Sequence, residues 1–169
     1  MEVRYPLTPD RSDWSIHLGA AAPDYGTPIR ALLLPELFAV GAEAYLMLHG
    51  NGFRKPLPGL TASPAAGFAA AAGFSFRAKY GVPPVWAELA ADAVVAFGSR
   101  PVFVAGTVGV RGALHLGPFS LGLNATLKLQ LGPGDGKFAE LRACGSIDLW
   151  LFEISGCVHL AFGDSAPYN

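Results

Sequence analysis

Ser120-Leu121-Gly122-Leu123-Asn124-Ala125-Thr126-Leu127-Lys128-Leu129-Gln130-Leu131 is the stretch that decides the fold class. Leu121, Leu123, Ala125, Leu127, Leu129 and Leu131 alternate without a break with Ser120, Gly122, Asn124, Thr126, Lys128 and Gln130. A helix turns every 3.6 residues and would scatter these positions around its circumference. A strand repeats every two and puts all six apolar side chains on one face. The stretch therefore reads as one long amphipathic strand.

Its flanks repeat. Leu114-x-Leu116-x-x-Phe119-x-Leu121 returns as Ile147-x-Leu149-x-x-Phe152-x-Ile154. In each copy the apolar phase slips between the second and third member, as a two-residue turn or a bulge requires. Turns at Gly117-Pro118 and Trp150-Leu151 pair Leu116 with Phe119, Leu114 with Leu121 and Val108 with Leu127. In the second copy they pair Leu149 with Phe152, Ile147 with Ile154, Gly145 with Gly156 and Leu141 with Leu160. Gly-Pro suits a turn. Trp-Leu does not, which leaves a bulged bend open at the second site. Gly132-Pro133-Gly134-Asp135-Gly136, between the copies, reads as a reversal. The expected fold is mainly β with little helix: an antiparallel meander of long amphipathic strands forming an open curved sheet, a sandwich or a partial barrel.

The N-terminal half is less regular. Residues 1–12, with Pro6, Pro9 and Asp10, read as an extended lead-in; Trp14 to Gly19 as a short strand; 20–28 as a loop. Ile29 to Leu34 is an apolar run stopped by Pro35, and Val40 to Leu48 alternates again. Residues 49–64, rich in Gly and Pro, predict a long mobile loop. Gly67-Phe68 and Gly73-Phe74 recur at an interval that returns a strand to the same face. Trp86 to Phe97, containing Glu88, Leu89, Ala90 and Ala91, fits a helix or a strand equally by propensity. One domain over 1–169 is expected, with irregular strands and loops over 1–64, the repeated hairpin meander over 65–163 and a tail at 164–169.

Composition narrows the function classes. Apolar residues are 51% and charged residues 15% of the chain, and mean hydropathy is +0.36, where about a quarter charged is usual. A surface so poor in charge implies a covering partner: another chain, a lipid phase or a ligand. Net charge is −1 and the 12 Lys and Arg are scattered, which argues against nucleic acid. Met1 to Pro6 lacks the cationic start and apolar run of a secretory signal, and Ala65 to Ala72 is too short to cross a bilayer as a helix. Cytoplasmic residence is the default expectation, with export left to another route or to a longer chain.

Chemistry-bearing residues are sparse. Cys144 and Cys157 fall opposite each other across the second hairpin, on its polar face, where a cross-strand disulfide is geometrically allowed. Two free thiols in a reduced cytoplasm are the plainer expectation. Asp148 and Glu153 also fall opposite each other, too few oxygens for calcium, and read as solvated turn acids. His17, His49, His115 and His159 are dispersed without ligand spacing, and no Cys/His cluster suggests zinc. No Gly-x-Ser-x-Gly elbow is present, and Gly132-x-Gly134-x-Gly136 lacks the Lys-Ser/Thr and helix of a phosphate loop. No catalytic residue, metal or cofactor is expected.

Asp92-Ala93-Val94-Val95-Ala96-Phe97, Pro101-Val102-Phe103, Gly132-Pro133 and the run Gly145 to Gly163 around Leu151-Phe152 resemble modules of large, uncharacterised bacterial β-rich multidomain proteins. Trp14 to Gly19 and Tyr45-Leu46-Met47 are similar to segments upstream of such modules. The resemblance implies a β-rich module within a longer chain or assembly, favours strand over helix for Trp86–Phe97, and brings no catalytic residues.

The leading expectation is a non-catalytic structural or interaction module whose partners are other subunits or domains, joined through strand edges with few guarding charges. The alternative is a carrier of lipid or another apolar ligand, with Leu127, Leu129, Phe152, Ile154 and Phe162 lining a groove in a curved sheet. A transmembrane barrel ranks third. Strands of this length can span a bilayer, but the sequence offers no export signal, an irregular first half and no evident aromatic girdle.

Overall fold

The computed structural model describes residues 2–4, 13–34, 38–60, 63–64, 66–132 and 137–163. The lead-in expected over 5–12, most of the reversal at 133–136 and the tail at 164–169 lie outside them. The described residues contain ten strands and no helix: β1 (Glu2–Arg4), β2 (Ser15–Leu18), β3 (Ile29–Leu33), β4 (Phe38–His49), β5 (Ala69–Val82), β6 (Val85–Ser99), β7 (Val102–Leu116), β8 (Phe119–Leu131), β9 (Phe138–Leu149) and β10 (Glu153–Gly163). All belong to one antiparallel sheet of order β1-β2-β4-β5-β6-β7-β8-β9-β10, with β3 also on β4. The sheet is an open meander, and no described pairing joins β10 to the first strands.

β2 and β3 are two halves of one interrupted strand. Ser15–Leu18 pair with His49–Leu46 and Ile29–Leu33 with Ala44–Val40, both antiparallel to β4. The chain leaves the sheet at Gly19, whose φ is +68° and whose missing side chain would sit 2.9 Å from the Ala44 carbonyl oxygen and the Ile29 nitrogen. Only glycine fits there. With β2 and β3 counted together, and the three-residue β1 at the edge of β2 set aside, the sheet has eight long staves.

The alternation of residues 120–131 is realised in full as β8. Its partners are the expected ones: Leu116 faces Phe119 and Val108 faces Leu127, while Ile147 faces Ile154 and Leu141 faces Leu160. The second site is a tight turn rather than a bulged bend. The Leu149 N–H donates to the Phe152 carbonyl at 3.0 Å, and Trp150 adopts φ +64°, with its N–H bonded to Asp148 Oδ1 at 3.0 Å. The helix alternative for Trp86–Phe97 is overturned: this is β6, fully paired with β5 on one side and β7 on the other. Two complete ladders outweigh the modest helix preference of Glu, Leu and Ala.

The described residues of 49–64 are not the free loop that the glycines and prolines suggest. Phe53 and Leu57 turn inward and are 5% and 1% exposed, against Met47, Ala69, Ala71 and Ala96 of the sheet and Ala20 and Ala21 of the 19–28 excursion. Thr107 of β7 donates its hydroxyl to the Gly59 carbonyl at 2.6 Å. The segment fills the inner side of the sheet at one end.

Candidate functional site

Strand alternation and register divide β4–β10 into two sets. The outer set comprises, for example, Phe38, Val40 and Leu46 of β4, Val95 and Phe97 of β6, Val108 and Val110 of β7, and Ile154, Val158 and Leu160 of β10. It contains no charged residue, and Tyr80 and Ser99 are its polar members among the described residues. Most of its large side chains are exposed. The inner set carries every charge of these strands: Glu43, Arg77, Lys79, Glu88, Asp92, Arg111, Lys128, Glu140, Arg142, Asp148 and Glu153. A water-soluble antiparallel sheet buries its apolar face and wets its polar one. Here the arrangement is inverted.

The sheet curls towards the polar side. A cavity of about 810 Å³ is bounded by residues from Leu32 of β3 round to Ser155 and Cys157 of β10, so both ends of the long sheet border one space. One row of directly paired residues crosses it: Leu32, Gly41, Arg77, Ala90, Arg111, Asn124, Cys144 and Cys157. Cys144 and Cys157 are joined by a disulfide with Cα atoms 4.0 Å apart, tying the terminal hairpin together on the inner face.

The other inner groups are mostly engaged. Arg30 Nε lies 2.8 Å from Glu43 Oε1, Arg111 Nη2 3.7 Å from Asp92 Oδ1, and His159 Nε2 3.0 Å from Glu140 Oε1. His115 stacks on Trp86, its direct partner across β6 and β7, at 3.7 Å between ring centroids. Lys79 Nζ sits 4.2 Å over the same Trp86 ring. Asp148 and Glu153 face each other as expected, with Asp148 committed to the Trp150 N–H.

The four histidines are dispersed along the sequence, yet His17 and His49 meet, with Nε2 atoms 2.9 Å apart. Tyr25 stands edge-on to both rings, and Phe53 lies tilted against His49. Tyr25 bonds both polar groups of the Lys55 backbone, donating to its carbonyl at 2.6 Å and accepting from its N–H at 2.7 Å. Burial pushes the Tyr25 phenol above its ordinary pKa, against the backbone bond and with a further push from Asp24. No spacing rule links residues 17 and 49. Only the pairing of β2 with β4 brings them together.

The five residues expected to line an apolar groove are placed otherwise. Leu127, Leu129, Ile154 and Phe162 belong to the outer set and Phe152 to the β9–β10 turn. All five are exposed, and none borders the cavity. The curvature runs the other way: the cavity is bounded by the polar side of the sheet, and the leucine-rich side is the outer one.

The outer aromatic residues sort by height. Phe38, Tyr80, Phe119, Trp150 and Phe152 mark the rim that carries the turns at 83–84, 117–118 and 150–151. Phe68, Phe97 and Phe162 mark the opposite rim, with Trp14 6.2 Å from Phe68. Phe74 and Phe76 lie between the rims on β5. Along the sequence these residues look scattered, and register gathers them into two bands. Comparison of the chain with family models, curated proteins and solved structures gives no match.

Proposed function

We propose that this chain is a membrane-embedded β-sheet whose convex face meets lipid and whose polar concave face lines a lumen. On this reading it is an eight-staved barrel once β10 closes on the free edge of β3, with β1 remaining on β2. The observation that carries the proposal is the uncharged, exposed outer face running unbroken over β4–β10, with every strand charge turned inward. Apolar-out, polar-in alternation is what a bilayer demands of a strand protein and what water penalises.

Dimensions agree. A strand of 13 residues, like β8, is about 43 Å long and, tilted about 40°, rises about 33 Å, close to the roughly 30 Å hydrocarbon core. The aromatic residues at both rims fit the two membrane–water interfaces. Eight is an even number, so the first and last staves run antiparallel, as closure requires, and they already border one cavity. A disulfide fits folding in an oxidising compartment. No helix among the described residues is long and apolar enough to cross a membrane, a fact without bearing on strands.

A second reading is favoured by one feature: the free edge of β10 offers an unguarded row of backbone groups from Glu153 to Gly163. Another subunit, or more of a longer chain, could pair there and cover the apolar face. This is the structural or interaction module expected from the scarce charge and open strand edges. A carrier of apolar cargo is less supported, because the enclosed wall holds the charges.

The deciding experiment is refolding from urea in the presence and absence of phospholipid vesicles, followed by flotation at pH 11. Brominated lipids then report depth through a tryptophan placed at Leu127→Trp. Lipid insertion predicts flotation and strongest quenching at 127 by bromines deep in the acyl chain. A discrete, soluble species in detergent-free buffer, with no quenching at 127, would overturn it and favour the interaction module.

A further inference from the structure

Most polar inner groups are spoken for by neighbours or by the packed 50–60 segment; the cavity wall near the turn-bearing rim is the exception. Its charged residues are Arg77, Lys79 and Arg111 against the single carboxylate Glu88. Lys79 rests on the Trp86 ring, and Arg111 reaches Asp92 only at 3.7 Å. Arg77 has no ion-pair partner among the described residues. A concave, largely apolar wall concentrates the field of such cations and strengthens their hold on an anion relative to open solvent.

Register supplies the geometry. Arg77 pairs with Ala90 and Ala90 with Arg111, so the two arginines stand at the same height two strands apart, about 10 Å between backbones. Between them stands only the methyl group of Ala90. Two guanidinium forks rooted on either side of that gap suit an oxyanion with several acceptor oxygens, which each fork can bond in a bidentate manner. The space, about 810 Å³, falls in the range of drug-sized ligand pockets and far exceeds a bare oxyanion. Apart from Lys79 and Glu88 the rest of its wall is uncharged, with Ala39, Gly41 and Ala113 among its residues.

We propose that this cavity binds a small organic anion, a phosphate or sulfate ester, gripped between Arg77 and Arg111 with its uncharged body against the Ala/Gly wall. The proposal does not rest on the lipid assignment, since the inner face is the same whatever covers the outer one.

The test is calorimetric titration of the full chain, in nonionic detergent at low salt, with 1-naphthyl phosphate. 1-Naphthyl sulfate, uncharged 1-naphthol and inorganic phosphate are run beside it. Saturable one-to-one binding of an ester, at least tenfold tighter than naphthol or inorganic phosphate, is expected; the two esters show which oxyanion is preferred. Arg77→Gln should weaken binding at least tenfold, and Arg77→Lys, which keeps the charge but not the fork, by less. Arg142→Gln, on the inner face but off the cavity wall, should change it less than twofold. Absence of saturable ester binding, equal binding of naphthol, or an unchanged Arg77→Gln variant overturns the proposal. Flotation of the same preparation reports the membrane assignment separately, so either can fail alone.

Discussion

Placing one charge on the convex face separates lipid from water by sign and by depth. Leu127 lies two residues from the centre of β8 and Leu131 at its end, and their exposures are nearly equal, 46% and 44%. In water, Leu→Arg at either site forfeits about half the 1.5–3 kcal/mol of a fully buried leucine, about 1 kcal/mol, part of which the arginine stem restores. Two such variants should then look alike. In a bilayer they should not. Leu131 is four residues on, about 13 Å along the strand and about 10 Å along the membrane normal at a tilt near 40°. That displacement carries it from near the midplane to the interface. Leu127→Arg should therefore cost about 2–4 kcal/mol and Leu131→Arg about 0–1. The assay is reversible urea unfolding in vesicles followed by tryptophan emission. With a slope near 2 kcal/mol/M, the Leu127→Arg midpoint should fall by about 1–2 M. Equal, small shifts in the two variants would refute lipid contact on this face.

The remaining predictions address the scaffold. The disulfide closes a separation of 13 residues; replacing both cysteines by serine should lower stability by about 3 kcal/mol, measured against wild type with and without reductant. Gly73→Val should be destabilising by about 1–3 kcal/mol, because a side chain there would collide with the ring of Tyr45. Tyr45→Ala should recover part of the loss in a double-mutant cycle. Thr107→Val removes the 2.6 Å bond to the Gly59 carbonyl and should cost about 1–2 kcal/mol. Amide exchange at Leu60, whose N–H is bonded to the Leu57 carbonyl, should accelerate more than exchange within β7.

Much of the fold was legible along the chain because period two is a local property. The twelve residues 120–131 establish a strand without reference to any neighbour, and the phase slips at 117–118 and 150–151 fix both hairpin registers. Where local rules competed, sequence was silent. Trp86–Phe97 carries helix-forming residues, and the ladders to β5 and β7 made it a strand. Residues 49–64 carry loop chemistry, yet Phe53 and Leu57 found an apolar floor in Met47, Ala69, Ala71 and Ala96. The meeting of His17 with His49 and the alignment of Arg77 with Arg111 depend on strand order and register, which no spacing within one segment encodes.

The sequence by itself determined that each long strand has one apolar and one polar face, that Cys144 and Cys157 lie opposite each other, and that surface charge is scarce. Alternation assigns side chains to two faces but does not say which face bends inward. Tertiary structure decided that. The polar side bends around a cavity bounded from Leu32 of β3 to Cys157 of β10, and most of the leucine, valine and phenylalanine lies on the wider side. The same pattern could have enclosed a greasy groove. The direction of bending belongs to the coiling of all the paired strands together, which no single segment encodes.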